Sequence, residues 1–207
     1  MILKAKHNIV IYPFFKWYIR WKIKRNFKPV EIISEIRAKE LPVFVIANHI
    51  TWWDGFWVEY VNQQLFKRKL HFMMLEQQLR RFWFFNYCGG FSVQKNSRSI
   101  IESLNYTCEL LAHRDNLVFM FPQGKIHSIH QPVFTFEKGI GYILKQLKNP
   151  VQIVFMVALP DWFSNAKPGV WIYVEEFIPS DNSLSKIESS YTAFYNQCIE
   201  IHKNRAQ

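Results

Sequence analysis

The stretch Val43-Phe44-Val45-Ile46-Ala47-Asn48-His49-Ile50-Thr51-Trp52-Trp53-Asp54 changes abruptly from an unbroken apolar run to a polar turn. The short apolar run predicts a buried strand. The turn after it can hold His49 and Asp54 close together, with the carboxylate accepting a hydrogen bond from one ring nitrogen. The other ring nitrogen is then free to take a proton, so the pattern predicts a catalytic pair, His49 and Asp54, at the end of this strand.

A purely structural interpretation of the same turn stays open at this point. In that interpretation His49 caps the strand and Asp54 N-caps the helix that follows. In the catalytic interpretation His49 activates a hydroxyl of the substrate, because no serine or cysteine occupies a nucleophile elbow nearby. The spacing alone does not separate the two interpretations.

Three further motifs follow the first one along the chain. Gly89-Gly90-Phe91-Ser92-Val93-Gln94-Lys95-Asn96-Ser97-Arg98 is a glycine-rich lead into a strand that ends on basic residues. Phe121-Pro122-Gln123-Gly124-Lys125 follows a second apolar strand, and Phe136-Glu137-Lys138-Gly139 opens a helix ahead of Pro150-Val151. With Asn48-His49-x4-Asp54, these motifs resemble in order and spacing those of the glycerolipid acyltransferases, a PlsC-like family of lysophosphatidic acid acyltransferase type. The resemblance covers about residues 40–160.

The resemblance implies transfer of a fatty acyl group from acyl-CoA or acyl-ACP to the hydroxyl of a lipid acceptor, lysophosphatidate-like or another lipid. His49 would be the general base and Asp54 would support it. Gly124 would let the backbone approach a phosphate or an oxyanion closely, and basic side chains would supply charged donors. The implied substrate-binding residues are Asn48, Lys95, Arg98, Pro122, Gln123, Gly124 and Lys125. No cofactor beyond the acyl co-substrate and no metal ion is implied.

Two motifs depart from the family pattern. Gln123 and Lys125 stand where the third motif of the family has Glu and Thr, and Lys95 stands where the second motif has Arg. In the family these positions bind the glycerol phosphate of the acceptor. The departures therefore leave two alternatives: an enzyme with an altered acceptor, or a catalytically inactive lipid- or acyl-CoA-binding protein of the same fold.

The basic composition predicts an acidic partner. The chain has 207 residues and a formal net charge of +10 at pH 7. Nucleic acid, an anionic membrane surface, and acyl-CoA or acyl carrier protein would each match this charge. We expect no nucleic acid partner, because no RNA- or DNA-binding motif is present and the basic residues concentrate near the N-terminus.

The cysteines and the loop histidines do not predict a metal site. An odd number of cysteines without metal-ligand spacing favours a reduced cytoplasmic compartment and buried thiols, and these are Cys88, Cys108 and Cys198. Three histidines lack a carboxylate or thiol at ligand spacing, and we interpret them as loop residues: His113, His127 and His130.

Residues 1–28 combine aromatic and aliphatic side chains with lysines and arginines. The longest uncharged run, 7–15, is too short for a spanning helix, which needs about 20 apolar residues. Basic residues also follow it where a signal peptide would have its cleavage site. We predict an amphipathic segment, monotopic or peripheral on the cytoplasmic face of the membrane, ahead of an acyltransferase domain at 29–207. A helix packed on that domain, with its lysines in solvent, is the alternative.

Strands alternate with helices along the rest of the chain, which predicts an α/β fold: one domain with a mostly parallel or mixed central sheet flanked by helices. After the strand from Val43, we predict strands at 70–75, 91–93, 117–121 and 151–159, and an edge strand at 170–174. The predicted helices cover 30–40, 56–65, 77–85, 97–113 with Ser97 as N-cap, 136–147 and 183–203. The turns bearing His49 and Gln123 would then meet at the carboxyl edge of the sheet, where such folds bind ligands.

Overall fold

A seven-stranded sheet forms the centre of the structure, a computed structural model that describes residues 2–94, 99–130, 133–179 and 183–205. In chain order the strands are β1 Val30–Ser34, β2 Val43–Ala47, β3 Lys69–Leu75, β4 Gly90–Val93, β5 Asn116–Met120, β6 Gln152–Asp161 and β7 Gly169–Phe177. The α-helices are α1 Ile11–Asn26, α2 Asp54–Val61, α3 Glu76–Arg81, α4 Ser99–Leu110, α5 Lys138–Gln146 and α6 Leu184–Lys203. A π-helical turn, Asn62–Phe66, follows α2, and a 3-10 turn, Trp83–Phe85, follows α3.

The strand order across the sheet is β1-β7-β6-β2-β5-β3-β4. From β6 to β4 every pair of neighbours is parallel. Strand β7 runs antiparallel to β6 and pairs in parallel with β1, so the sheet is mixed. The sheet and the helices that flank it confirm the predicted single-domain α/β fold.

Strand β2 lies at the centre of the sheet, and all five of its residues are buried. Its residue Val45 is paired with Phe119 of β5 on one side and with Val154 of β6 on the other. Because β2 and β5 are parallel and in register, the loops that follow them leave the sheet at the same edge. This pairing brings the loop of His49 next to the loop of Gln123.

Each face of the sheet has its own apolar core. Val45 of β2 points into the core formed with α1 and α2, where Ile23 and Trp57 are buried. Its neighbour Phe44 points into the core formed with α4, α5 and α6, where Tyr191 is buried. Successive strand residues thus enter opposite cores, which explains why the run is apolar without alternation.

Two predicted elements are wrong. Residues 30–40 were expected to be helical, but Val30–Ser34 is strand β1, and its neighbours Ile32 and Ile33 pack against opposite cores as strand residues do. Residues 170–174 were expected to form an edge strand, but β7 lies between β6 and β1. Both errors have one cause, because β1 is the strand that covers β7. The other predicted helices and strands agree within a few residues, and the predicted N-cap Ser97 lies outside the described residues.

Helix α1 packs on the domain through one face and leaves another in solvent. Ile19 and Ile23 are buried against α2 and the sheet. This is the packing expected if the segment is a helix packed on the domain, the alternative to a membrane-bound segment. Phe14, Trp17 and Trp21 nevertheless remain 58%, 60% and 40% exposed. Within the described residues, no helix combines the length and apolar character needed to cross a bilayer.

The segment before α1 is fixed to the edge strand β4. The Leu3 N–H donates to Ser92 Oγ at 2.8 Å, and the Ser92 N–H donates to the Leu3 carbonyl at 3.0 Å. The Gly89 N–H donates to the Lys6 carbonyl at 3.0 Å. Helix α1 is therefore fixed to the domain both through its own buried face and through the chain that leads into it.

A buried carboxyl group lies where α2 continues into the π-helical turn. Glu59 is 1% exposed and accepts hydrogen bonds from Asn62 Nδ2 at 2.8 Å and Gln63 Nε2 at 3.2 Å. The Gln63 amide also donates to the Lys16 carbonyl of α1 at 3.2 Å. Burial raises the pKa of Glu59 from 4.5 to about 7, although these amides and the Lys16 ammonium favour the charged form.

Glu59→Gln is expected to stabilise the protein increasingly as the pH rises from 4.5 to 7. The folded protein keeps the Glu59 proton in this window whereas the unfolded chain releases it, so wild type loses stability as the pH rises. Relative to wild type, the free energy of unfolding of the variant should rise by about 1.4 kcal/mol per pH unit, about 3 kcal/mol in all. Urea denaturation at several pH values measures it. The control is Glu35→Gln, which changes an exposed carboxyl group in the same way. An equal pH dependence of the free energy of unfolding in the two variants would contradict the prediction.

Candidate functional site

The loops after β2 and β5 meet at the carboxyl edge of the sheet. His49 lies two residues beyond β2 and Gln123 lies three residues beyond β5. The backbone N–H of His49 donates to Oε1 of Gln123 at 2.8 Å. The two loops predicted to share this edge are therefore joined by a direct hydrogen bond.

The turn after β2 wraps around the carboxylate of Asp54. Oδ2 accepts from His49 Nδ1 at 2.7 Å, from the Ile50 N–H at 2.7 Å and from the Thr51 N–H at 2.9 Å. Oδ1 accepts from the Thr51 hydroxyl at 3.0 Å, and the same hydroxyl accepts from the Trp53 N–H at 2.9 Å. The N-cap residue of α2 is Trp53, so the interpretation of Asp54 as the helix N-cap is wrong. Its carboxylate binds the preceding turn and the imidazole instead.

The hydrogen bond between His49 and Asp54 determines the tautomer of the imidazole. An ionised carboxylate only accepts hydrogen bonds, so the proton lies on Nδ1 and the neutral ring carries its lone pair on Nε2. The Asp54 side chain is 3% exposed, whereas the His49 side chain is 23% exposed. The arrangement thus combines a buried, hydrogen-bonded acid with a partly accessible imidazole, which can act as a base.

Phe121 forms the floor of the site. Its ring lies parallel to the His49 imidazole, with centroids 4.1 Å apart and an interplanar angle of 6°. The sequence prediction included Phe121 in a motif but assigned it no role at the site. The sequence did contain a signal for this role, because Phe121 directly follows β5, the strand that pairs in register with the strand before His49. The stacking restricts the orientation of the imidazole from the side that Asp54 does not contact.

Asn48 has a position that favours a structural role over the predicted substrate contact. Its side chain is buried, with Nδ2 donating to the Ala158 carbonyl at 3.0 Å and Oδ1 accepting from the Ala158 N–H at 2.9 Å. The asparagine amide thereby replaces a backbone partner where β2 ends beside β6. Asn48 positions the residue that follows it, His49.

Gly124 has a backbone conformation that favours glycine. Its φ is +63°, and a Cβ atom at this position would lie 3.0 Å from Cγ of Glu137. The Glu137 N–H donates to the Pro122 carbonyl at 2.8 Å, which fixes the loop against the start of α5. Lys125 is exposed beyond this turn. Of the predicted basic residues, Lys95 and Arg98 lie outside the described residues.

The loop histidines take different places. The His127 N–H donates to the His49 carbonyl at 2.9 Å, so the loop after Lys125 returns to the site. His130 is exposed in the same loop, and His113 is exposed in the turn before β5, at the opposite edge of the sheet. Across the described ranges, no group of three or more His, Cys, Asp or Glu side chains could hold a metal ion.

Comparisons with known proteins identify a family for this chain and a solved structure of similar fold. The sequence model of the Acyltransferase family matches residues 24–157, a range that includes His49, Asp54 and Gln123. The crystal structure of the 1-acyl-sn-glycerophosphate (LPA) acyltransferase PlsC from Thermotoga maritima has a similar fold, with a TM-score of 0.64. That match covers 94% of this chain and 81% of the other at 17% sequence identity. A search of curated protein sequences found no match.

Gln123→Ala is expected to loosen the turn that bears His49. The His49 N–H would lose its acceptor, which should lower the free energy of unfolding by about 1 to 2 kcal/mol and speed hydrogen exchange at this amide. NMR-detected exchange of the His49 amide measures the effect. Gln123→Glu keeps an acceptor oxygen and should retain protection; equal exchange in the alanine variant and wild type would show that the hydrogen bond is unimportant.

Proposed function

Because the chain belongs to the Acyltransferase family, we propose that it transfers a fatty acyl group from acyl-CoA or acyl-ACP to the hydroxyl of a lipid acceptor, lysophosphatidate-like or another lipid. The observation that carries the proposal is the hydrogen bond between His49 and Asp54, made in a turn that is joined to Gln123. Since the sequence has no serine or cysteine in a nucleophile elbow near this turn, such a base suits direct transfer to a substrate hydroxyl.

In the proposed reaction, Nε2 of His49 removes the proton from the acceptor hydroxyl as its oxygen attacks the carbonyl carbon of the thioester. Asp54 stabilises the imidazolium that forms and keeps Nε2 oriented for the transfer. The carbon–sulfur bond of the tetrahedral intermediate then breaks, and the thiolate takes the proton from the imidazolium. The products are an ester and a free thiol, and the imidazole returns to its neutral state.

The loop after β5 is proposed to bind the substrates. Gly124 lets the backbone of this loop approach an oxyanion or a phosphate closely, while Lys125 adds a positive charge at its rim. Lys95 and Arg98 of the second motif are proposed to add charged donors. Gln123 offers a neutral amide where the family has a carboxylate, so it does not repel an anionic acceptor. The chain's net charge of +10 suits an acidic acyl carrier as well.

Residues 1–28 are proposed to bind the surface of an anionic membrane from the cytoplasmic side, as a monotopic or peripheral element. The support is the exposed aromatic face of α1, formed by Phe14, Trp17 and Trp21, next to a helix surface rich in lysine and arginine. Aromatic rings favour the depth of the lipid headgroups, and basic side chains favour their phosphates. The same surface would give the catalytic domain access to lipid acceptors.

A catalytically inactive lipid- or acyl-CoA-binding protein of the same fold is the second candidate. The observation that favours it is the departure of Gln123, Lys125 and Lys95 from the family motifs. The two candidates differ in thiol release, because only the enzyme liberates thiol from an acyl thioester in a reaction that requires the acceptor lipid.

His49→Ala should slow the chemical step strongly while leaving the fold intact. We expect acceptor-dependent thiol release from acyl-CoA, with lysophosphatidate as the first acceptor tested, to fall by about a hundredfold to ten-thousandfold. His113→Ala, which removes an exposed histidine at the opposite edge of the sheet, should keep wild-type turnover. Near-normal activity in folded His49→Ala would exclude the mechanism. Wild type that binds acyl-CoA but releases no thiol with any lipid acceptor tested would favour the inactive candidate, whereas thiol release without an acceptor would indicate thioester hydrolysis.

The double variant Phe14→Ser, Trp17→Ser should lose binding to anionic vesicles. It removes two exposed rings and leaves the buried residues of α1 unchanged, so the fold should persist. Vesicle flotation measures binding and circular dichroism monitors folding. The control is Ile101→Ser, Ile201→Ser, which removes the same number of exposed apolar residues from the helices α4 and α6 on the other face of the sheet. Equal binding by both double variants would contradict the membrane assignment.

A further inference from the structure

A groove of about 370 Å³ lies between helix α1 and the π-helical turn. Its walls are formed by Pro13, Lys16, Trp17, Arg20, Gln63 and Lys67. The four residues from α1 occupy positions i, i+3, i+4 and i+7, so they form a single stripe along the helix. Neither loop of the catalytic pair contributes to the groove.

Three positive side chains line this groove: Lys16, Arg20 and Lys67. The Lys16 ammonium lies 5.1 Å from the centroid of the Tyr12 ring, so Arg20 and Lys67 present the exposed charge. No acidic residue is among the described residues that line it. The carboxyl group of Glu59 faces Lys16 from the interior, but it is 1% exposed and is separated from the groove by the hydrogen-bonded amide of Gln63. The groove therefore offers positive charge to an anion from solvent without a competing carboxylate in its wall.

Lys67 occupies a strained backbone conformation. Its φ of +57° and ψ of +36° lie in the left-handed region, and its N–H closes the π-helical turn on the Asn62 carbonyl at 2.6 Å. An L-residue other than glycine or asparagine pays about 1 kcal/mol there. Glycine or asparagine would be less strained at this C-cap, so the charge of Lys67 can be removed there without destabilising the turn.

The groove adjoins the exposed aromatic face of α1. Trp17 belongs to both, because its ring lines the groove and also contacts Phe14, with centroids 5.8 Å apart, and Trp21, with centroids 6.4 Å apart. A bilayer that receives these rings at headgroup depth brings its phosphates to the level of the neighbouring cations. The charge of the groove and its position beside the exposed rings therefore both favour an anionic lipid headgroup as its ligand.

We infer that this groove binds the headgroup phosphate of a single anionic phospholipid from the bilayer, at a site distinct from the catalytic pair. The inference rests on the proposed membrane association and makes it specific. Arg20 and Lys67 hold the phosphate oxygens, the nearby charge of Lys16 adds to the attraction, and Trp17 contacts the glycerol region. An acyl acceptor is bound elsewhere, at the loops of His49 and Gln123.

The test compares Lys67→Asn with Lys24→Gln in the full chain. Lys67→Asn removes one cation from the groove and relieves the left-handed strain, so the protein should be at least as stable as wild type. Lys24→Gln removes one exposed cation from the same helix, outside the groove. The probe is dihexanoyl phosphatidylglycerol below its micellar concentration, with dihexanoyl phosphatidylcholine and inorganic phosphate as comparison ligands, all measured by calorimetry.

The inference predicts saturable binding of the phosphatidylglycerol, about fivefold weaker in Lys67→Asn and little changed in Lys24→Gln. Equal weakening in the two variants would overturn it, because the attraction would then be diffuse. Inorganic phosphate binding as tightly as the lipid would also overturn it, because the site would then serve free phosphate. Vesicle flotation separates the groove from membrane association in general. If wild type binds anionic vesicles and the two variants bind them equally well, the groove is refuted but membrane association is not. If wild type does not bind anionic vesicles, both proposals are refuted.

Discussion

The parallel, in-register pairing of β2 with β5 is the constraint on which the site depends. It makes two loops, far apart in sequence, leave the sheet at the same edge and within hydrogen-bonding distance. The pairing is stable because both strands are buried on both faces by separate apolar cores. A one-residue slip would exchange the two faces of β2, so the alignment of the loops is as strongly determined as the core itself.

The turn after β2 converts that alignment into a defined side-chain geometry. Asp54 collects two backbone N–H groups, the Thr51 hydroxyl and the imidazole of His49, so its carboxylate is satisfied without solvent. Phe121 then supports the ring from the neighbouring strand. Each contact reduces the number of orientations open to the imidazole, and a group held in this way needs little reorganisation before a proton transfer.

Much of this could be predicted from the sequence, because buried strands that end in polar turns leave a local signal. The strand at Val43 and the proximity of the two loops follow from such signals and from the parallel order. The β1 strand could not be predicted, because its partner β7 lies far along the chain and its own residues carry no clear periodicity. The stacking of Phe121 and the bond from the His49 N–H to Gln123 depend on three-dimensional alignment that spacing does not encode. The two hydrogen bonds between Asn48 and Ala158 could not be predicted for the same reason, since Ala158 is recognisable as a partner only once β6 lies beside β2.

The attachment of the N-terminal segment to β4 has a consequence for biosynthesis. The bonds between Leu3 and Ser92 join residues separated by 89 positions, so they form only after the ribosome has released β4. Until then the aromatic helix α1 has no strand edge on which to anchor the chain that precedes it. During translation the N-terminal segment therefore stays unattached at this edge until Ser92 has left the ribosome, after His49 and Asp54 have already been synthesised.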